Sequence, residues 1–150
     1  MDLILWRHAD AEDGAPDLQR QLTEKGRQQA QAMADWLRPR LPENLRILVS
    51  PALRARQTAD ALQMDYTIVD DVAPDVDVEQ VLAAAEWPSA KDAVLVVGHQ
   101  PTLGFVLSHI FPEQRPFSVK KGAIFWIVHN EDGGAQIVLQ AAMSPEMLQR

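Results

Sequence analysis

The stretch Leu3-Ile4-Leu5-Trp6-Arg7-His8-Ala9-Asp10 decides how the chain is read. Four apolar residues run directly into an Arg-His pair, then into small and acidic residues. An apolar run of that length, bounded by polar residues, predicts a buried strand. A strand of a parallel sheet is covered on both faces, so its side chains need not alternate. Arg7 and His8 then fall at its C-terminal end, where the ligand crevices of open α/β sheets form. The competing reading is a solvated Arg-His pair on a loop.

Two later stretches repeat the pattern. Leu45–Val49 predicts a second strand, and Ser50-Pro51 after it reads as an N-cap followed by proline at the first helical position. In that helix Leu53 and Leu62 can face the core, Arg54 lies in the first turn, and Thr58 shares its face four residues on. Ala93–Val97 is the strongest strand of the chain and runs into Gly98-His99-Gln100-Pro101, ahead of a helix over 102–110. Taken singly, Arg54 reads as an exposed arginine and His99 as a cap or a satisfied core histidine. His109 and His129 fit that structural reading and are left in it.

The remaining chain fills in an alternating α/β pattern. Residues 12–17 form a loop by composition, next to the Arg-His pair. Thr23 is a plausible N-cap for a helix whose apolar face is Ala30, Met33, Ala34 and Leu37, and Pro39 ends it. Residues 66–69 predict a short strand, 70–77 an acidic loop, and 78–87 a helix. Residues 111–116 read as a surface crossing and Lys120-Lys121 as a solvated edge. Runs at 123–128 and 136–139 flank the turn residues 130–134, which predicts an antiparallel hairpin. Ser144-Pro145 can start a last helical turn. The predicted fold class is α/β, a three-layer α/β/α sandwich with a mostly parallel central sheet closed by a C-terminal antiparallel hairpin.

The chain has 150 residues, enough for one sizeable core, and the reading is a single domain over residues 1–150. Its hydrophobic content of 47% argues against disorder, and its net charge of -7 argues against a nucleic-acid partner. There is no cysteine, so disulfides and thiolate metal sites are excluded. Neither a signal-peptide pattern nor an apolar run of membrane-spanning length is present, which predicts a cytoplasmic protein with no membrane partner.

Three strand ends thus carry Arg7 with His8, Arg54, and His99. Arginine forks match phosphate oxygens in geometry and charge. Histidine serves as nucleophile or acid–base group near neutral pH. Metal binding is the rival reading for paired histidines, but the arginines would oppose a dication and no carboxylate spacing matches.

On these residues the chain resembles the histidine phosphatase superfamily. Arg7-His8-Ala9 is similar to its Arg-His-Gly motif, Ser50-Pro51-Ala52-Leu53-Arg54-Ala55-Arg56-Gln57-Thr58 matches its Ser-Pro-x-x-Arg-Ala-x-Gln-Thr motif, and Gly98-His99 matches its Gly-His motif. Arg20-Gln21-Leu22-Thr23-Glu24-Lys25-Gly26 and Met143-Ser144-Pro145 resemble the short SixA-type phosphohistidine phosphatases. Ala9 departs from the family's glycine. A positive φ there would strain alanine by about 1–2 kcal/mol, whereas a close approach alone can accept a methyl.

The resemblance implies His8 as nucleophile, with Arg7, Arg54 and His99 as catalytic partners and Arg20, Asp10, Gln57 and Thr58 as substrate-binding residues. It implies no metal and no organic cofactor. Asp10, Glu12, Asp75 and Asp77 are candidates for a general acid, each equally readable as a solvated carboxylate. An unclear acid favours phosphoramidate substrates, because protonated phosphohistidine releases a neutral imidazole. The chain offers little room for a segment covering the pocket. The implied activity is therefore hydrolysis of phosphohistidine on a protein domain. The alternatives are a small-molecule phosphomonoesterase or phosphoglycerate-mutase-like enzyme, and a weakly active phosphate-binding regulatory module, the last motivated by Ala9.

Overall fold

The structure is a computed structural model that describes residues 1–113, 117–132 and 134–149. Six strands form one sheet: β1 (Asp2–Arg7), β2 (Leu45–Val49), β3 (Thr67–Ile68), β4 (Ala93–Gly98), β5 (Ile124–Asn130) and β6 (Gln136–Met143), in the order β3-β2-β4-β1-β5-β6. β1, β2, β3 and β4 are mutually parallel, and β5 and β6 add antiparallel to the β1 side. Every residue of β4 is buried, as expected of a parallel strand covered on both faces.

The helices form the outer layers. α1 (Glu24–Leu37) and α2 (Leu53–Asp60) cover one face, packing Met33, Leu37, Ala55 and Ala59 against Ile4, Trp6, Val49 and Val97. α3 (Val78–Ala85) and α4 (Thr102–Ile110) cover the other, packing Val81, Leu103 and Leu107 against Leu3, Leu5, Val94 and Val96. A short α5 (Pro145–Leu148) closes the chain, with Leu148 against the α1–α2 core. The fold class is α/β, as predicted.

Register places the motifs. Arg7 pairs with Gly98 across β1–β4, and Val49 pairs with Val97 across β2–β4. The ladder continues one step past the strands: His8 N donates to Gly98 O at 3.1 Å and Ser50 N to Val97 O at 3.1 Å. His8, His99 and Ser50 therefore leave the sheet side by side at its C-terminal edge.

Several local expectations change. α2 begins at Leu53 with Ala52 at its N-cap position, so Ser50 and Pro51 lie before the helix. Ser50 bonds His99 instead of capping. Leu53 is only half-buried. The strand predicted over 66–69 shrinks to two exposed residues at a sheet edge. The acidic stretch 70–77 includes a 3-10 turn, Asp70–Val72, that buries Val72. Asp77 caps α3 in a reciprocal capping box with Gln80. The hairpin is longer than its apolar runs, carries a bulge at Trp126/Ile127, and ends the sheet with β6 at its edge. The crossing predicted over 111–116 and the turn over 130–134 fall partly outside the described residues, at 114–116 and 133.

Gly26, in the first turn of α1, lowers helix propensity, yet a Cβ there would overlap the Asp10 carbonyl oxygen. The glycine lets α1 lie directly against the segment that follows the motif strand.

Candidate active site

His8, Arg7, Arg54 and His99 converge on one cleft of about 270 Å³. Its lining also includes Asp13, Asp17 and Arg20 from the loop after β1, Pro74 and Asp75 from the segment before α3, and Gln100 and Lys121. The two imidazoles lie 5.1 Å apart between ring centroids. Arg54 is 4% exposed and His8 7%, so both are floor residues. The exposed arginine that Arg54 suggests in isolation is not what the fold builds.

His8 Nδ1 lies 2.7 Å from Ala9 O. A carbonyl only accepts, so neutral His8 carries its proton on Nδ1 and keeps a lone pair on Nε2. Burial lowers the His8 pKa to about 4; the bond to Ala9 O works against this, and the Arg54, Arg7 and Arg20 charges add to it. His99 is lowered to about 3, by burial first and then by His8 and Arg54, with Asp17 opposing. Both rings are neutral at pH 7.

Each guanidinium is partly anchored. Arg7 donates from Nη1 to Val119 O at 2.9 Å. Arg54 donates to Asp17, from Nη1 to the carbonyl at 2.9 Å and from Nη2 to the carboxylate at 3.1 Å. Arg20 donates from Nε to the other Asp17 oxygen at 3.0 Å. The Nε–H groups of Arg7 and Arg54 are buried and have no acceptor among the described residues. A cationic floor with unused N–H donors is suited to an oxyanion. The Asp17 carboxylate, pushed up by burial, is held below its ordinary pKa by its bonds from Arg20 and Arg54.

The remaining expected binding residues lie outside the cleft. Thr58 is fully buried; its hydroxyl donates to Arg54 O at 2.8 Å and accepts from Ala9 N at 3.0 Å. Gln57 Oε1 accepts from Leu22 N at 2.7 Å. Asp10 accepts from Thr23 Oγ1 at 2.7 Å and from Lys121 Nζ at 3.0 Å. Thr58 and Gln57 thus brace the backbone around the site, and Asp10 ties the Thr23 and Lys121 side chains together. Arg20 alone of that group lines the cleft.

Of the four carboxylates considered as acids, only Asp75 lines the cleft. The Asp77 side chain accepts from Gln80 N at 2.9 Å, as a cap. Glu12 accepts from Gln21 Nε2 at 3.1 Å. Asp10 is held ionised chiefly by its bond from Thr23, with Lys121 adding to this against burial. Ser50, Asp13, Asp17 and Lys121 were not singled out by sequence. The Ser-Pro step and the acidic loop beside the Arg-His strand were the available signals for the first three. Lys121 had none, since its place depends on the turn at Gly122.

Ala9 is fully buried and is not among the residues with positive φ, so alanine is accommodated without backbone strain. No group of histidines and carboxylates suited to a metal ion occurs among the described residues. No helix among them is long and apolar enough to cross a membrane.

Known proteins share this fold. The profile of the histidine phosphatase superfamily, branch 1, matches residues 3–73. The phosphohistidine phosphatase SixA of Escherichia coli (strain K12) is 32% identical, over 97% of this chain and 94% of that protein. The chain belongs to the histidine phosphatase superfamily. Within it the chain is of the SixA type. A SixA homolog from Haemophilus influenzae is 28% identical over 97% of both chains. The structure of the protein histidine phosphatase SixA complexed with tungstate superposes with a TM-score of 0.81 at 31% identity, covering 99% of this chain and 100% of that one.

Proposed function

We propose that this phosphatase hydrolyses phosphohistidine carried on a protein, through a phosphohistidine intermediate on His8. The observation that carries the reading is a neutral His8 whose Nδ1–H is tied to Ala9 O, set between Arg7, Arg54 and His99 on the cleft floor.

Nε2 of His8 attacks the phosphorus and forms a P–N bond as the substrate P–N bond breaks. The electron pair of the broken bond stays with the substrate imidazole. That imidazole already holds a proton on its other nitrogen and leaves neutral. Water then attacks phosphorus, the P–Nε2 bond breaks, and inorganic phosphate is released. The pair returns to Nε2, and the proton stays on Nδ1, donated to Ala9 O, throughout. Arg7, Arg54 and His99 stabilise charge on the equatorial oxygens. Asp17 must yield Arg54 to the incoming phosphoryl group.

Two features favour a protein-borne substrate. From the span between α2 and β4, only Pro74 and Asp75 reach the cleft lining. The rest of that span forms β3, the 3-10 turn and α3, with α3 packed on the sheet, so a side chain displayed on another protein can enter. The ionised state of Asp10 and Asp17 also disfavours substrates with alkoxide leaving groups, which need a proton. The similarity to SixA, including a structure complexed with tungstate, supports the same reading.

The runner-up is a small-molecule phosphomonoesterase with Asp75 as acid, which its place in the lining favours. The unstrained Ala9 removes the motive for a weakly active binding module. The test is kcat/KM for a phosphohistidine protein domain, a phosphoserine peptide, a sugar phosphate and a phosphoglycerate. Preference for the first supports the proposal; preference for a small ester promotes the runner-up.

A further inference from the structure

The two nitrogens of His99 face different neighbours. Nε2 lies 2.7 Å from Ser50 Oγ, and Nδ1 lies 3.5 Å from Arg54 Nη2. Ser50 is fully buried, and its Oγ accepts the Ala52 N–H at 3.2 Å. Among the described residues, the hydroxyl proton of Ser50 then has one acceptor within reach, His99 Nε2. A ring proton on Nε2 would leave that hydroxyl buried with nothing to donate to.

The opposite tautomer would give Arg54 a lone pair to donate to. That contact, at 3.5 Å, sits at the outer limit of a hydrogen bond, whereas the Ser50 contact is short. We propose that Ser50 is a positioning residue whose hydroxyl donates to His99 Nε2 and so holds the neutral ring with its proton on Nδ1, facing the phosphoryl site. His99 Nδ1–H and Arg54 Nη2–H are then two donors side by side, placed to share one phosphoryl oxygen. The histidines divide the work: His8 offers the cleft a lone pair and His99 offers it a proton. Protonating His99 is a poor alternative source of that N–H, because burial, His8, Arg54 and Arg7 all disfavour the cation and only Asp17 favours it.

The inference rests on the cleft being a phosphoryl site, but its test does not depend on which substrate is hydrolysed. Nitrogen-15 NMR of the imidazoles in the full chain at neutral pH should show His99 protonated at Nδ1 and unprotonated at Nε2, both free and with saturating inorganic phosphate. In Ser50→Ala the proton should redistribute toward Nε2, and the Kd for inorganic phosphate should weaken by about tenfold. A wild-type His99 protonated at Nε2 in both states overturns the proposal, as does a folded Ser50→Ala with unchanged tautomer and unchanged Kd. If Ser50→Ala does not fold, the wild-type spectra decide alone. Failure of the phosphohistidine reading would look different: a different preferred substrate, with the His99 tautomer intact.

Discussion

At the scale of the residue, His8 combines a low basicity with a fixed tautomer, and the first has a measurable effect on stability. An unfolded histidine titrates near 6.5, while native His8 and His99 sit at about 4 and about 3. As pH falls below about 6.5, the unfolded chain binds protons that the native site refuses. Native stability therefore declines from about pH 6.5 downward and levels off, for these groups, only below their folded values. His8→Asn removes one of the two refused protons. Its denaturation midpoint should fall less steeply than that of the wild type between about pH 6.5 and 4.5. Parallel slopes would contradict the burial argument. In a quenched reaction, His8→Asn should also lose the acid-labile, alkali-stable phosphoryl label that the wild type carries.

Arg54 tests the geometry of charge rather than its presence. Arg54→Lys keeps a cation but removes the fork that holds Asp17 from two nitrogens. Turnover should drop by on the order of 10²-fold, as when one oxyanion donor is lost. A near-normal rate would reduce Arg54 to a point charge. The placement of Arg7, His8, Arg54 and His99 at the cleft was open to sequence reasoning because the first two and His99 lie at or just after strand ends and Arg54 lies in the first turn of the helix after one. Thr58 and Gln57 were misplaced, because a motif records which residues recur but not whether they face the ligand or the backbone behind it.

Elements explain those misplacements. Sequence period locates β1, β2, β4 and their helices, since burial on two faces leaves long apolar runs. It overextends β3, predicted over 66–69 and formed only by the exposed Thr67 and Ile68, and it stops short in β6, predicted over 136–139 and running on to Met143. It also misses why α1 carries a glycine in its first turn. Gly26→Ala would force α1 away from the Asp10 carbonyl, and crowding of this kind costs about 1–3 kcal/mol. The loss should appear in the denaturation midpoint, with activity falling too because the displaced segment adjoins His8. Ala9→Gly is the complementary case. Ala9 has ordinary φ, so glycine should destabilise by roughly 0.5–1 kcal/mol through unfolded-state entropy. A gain in stability would reveal strain at that position.

For the whole molecule, charge sets a contrast between floor and envelope. The cleft floor is cationic, yet the chain carries a net charge of -7. A phosphoprotein of net negative charge meets long-range repulsion before it meets the arginines. Raising ionic strength from about 0.01 M to about 0.15 M shortens the screening length from about 30 Å to about 8 Å. For such a substrate kcat/KM should rise over that range, provided the arginines act only at contact distance. A monotonic fall would show that the cleft itself steers the encounter.

The pairing of β1 with β4 has one more consequence, in the time domain. Leu3 aligns with Val94, 91 positions later, and Trp6 is tied through Nε1 to Gly122 O, 116 positions later. The strand that leads into His8 thus has no sheet neighbour until β4 and β5 are present. Closing contacts across such distances is slow compared with forming local helices. On refolding from denaturant, helical signal should return first, and the capacity to take up phosphate on His8 should return only with the central sheet. Activity in this chain is a late reporter of folding, and a truncated or stalled product would carry the Arg-His motif without its chemistry.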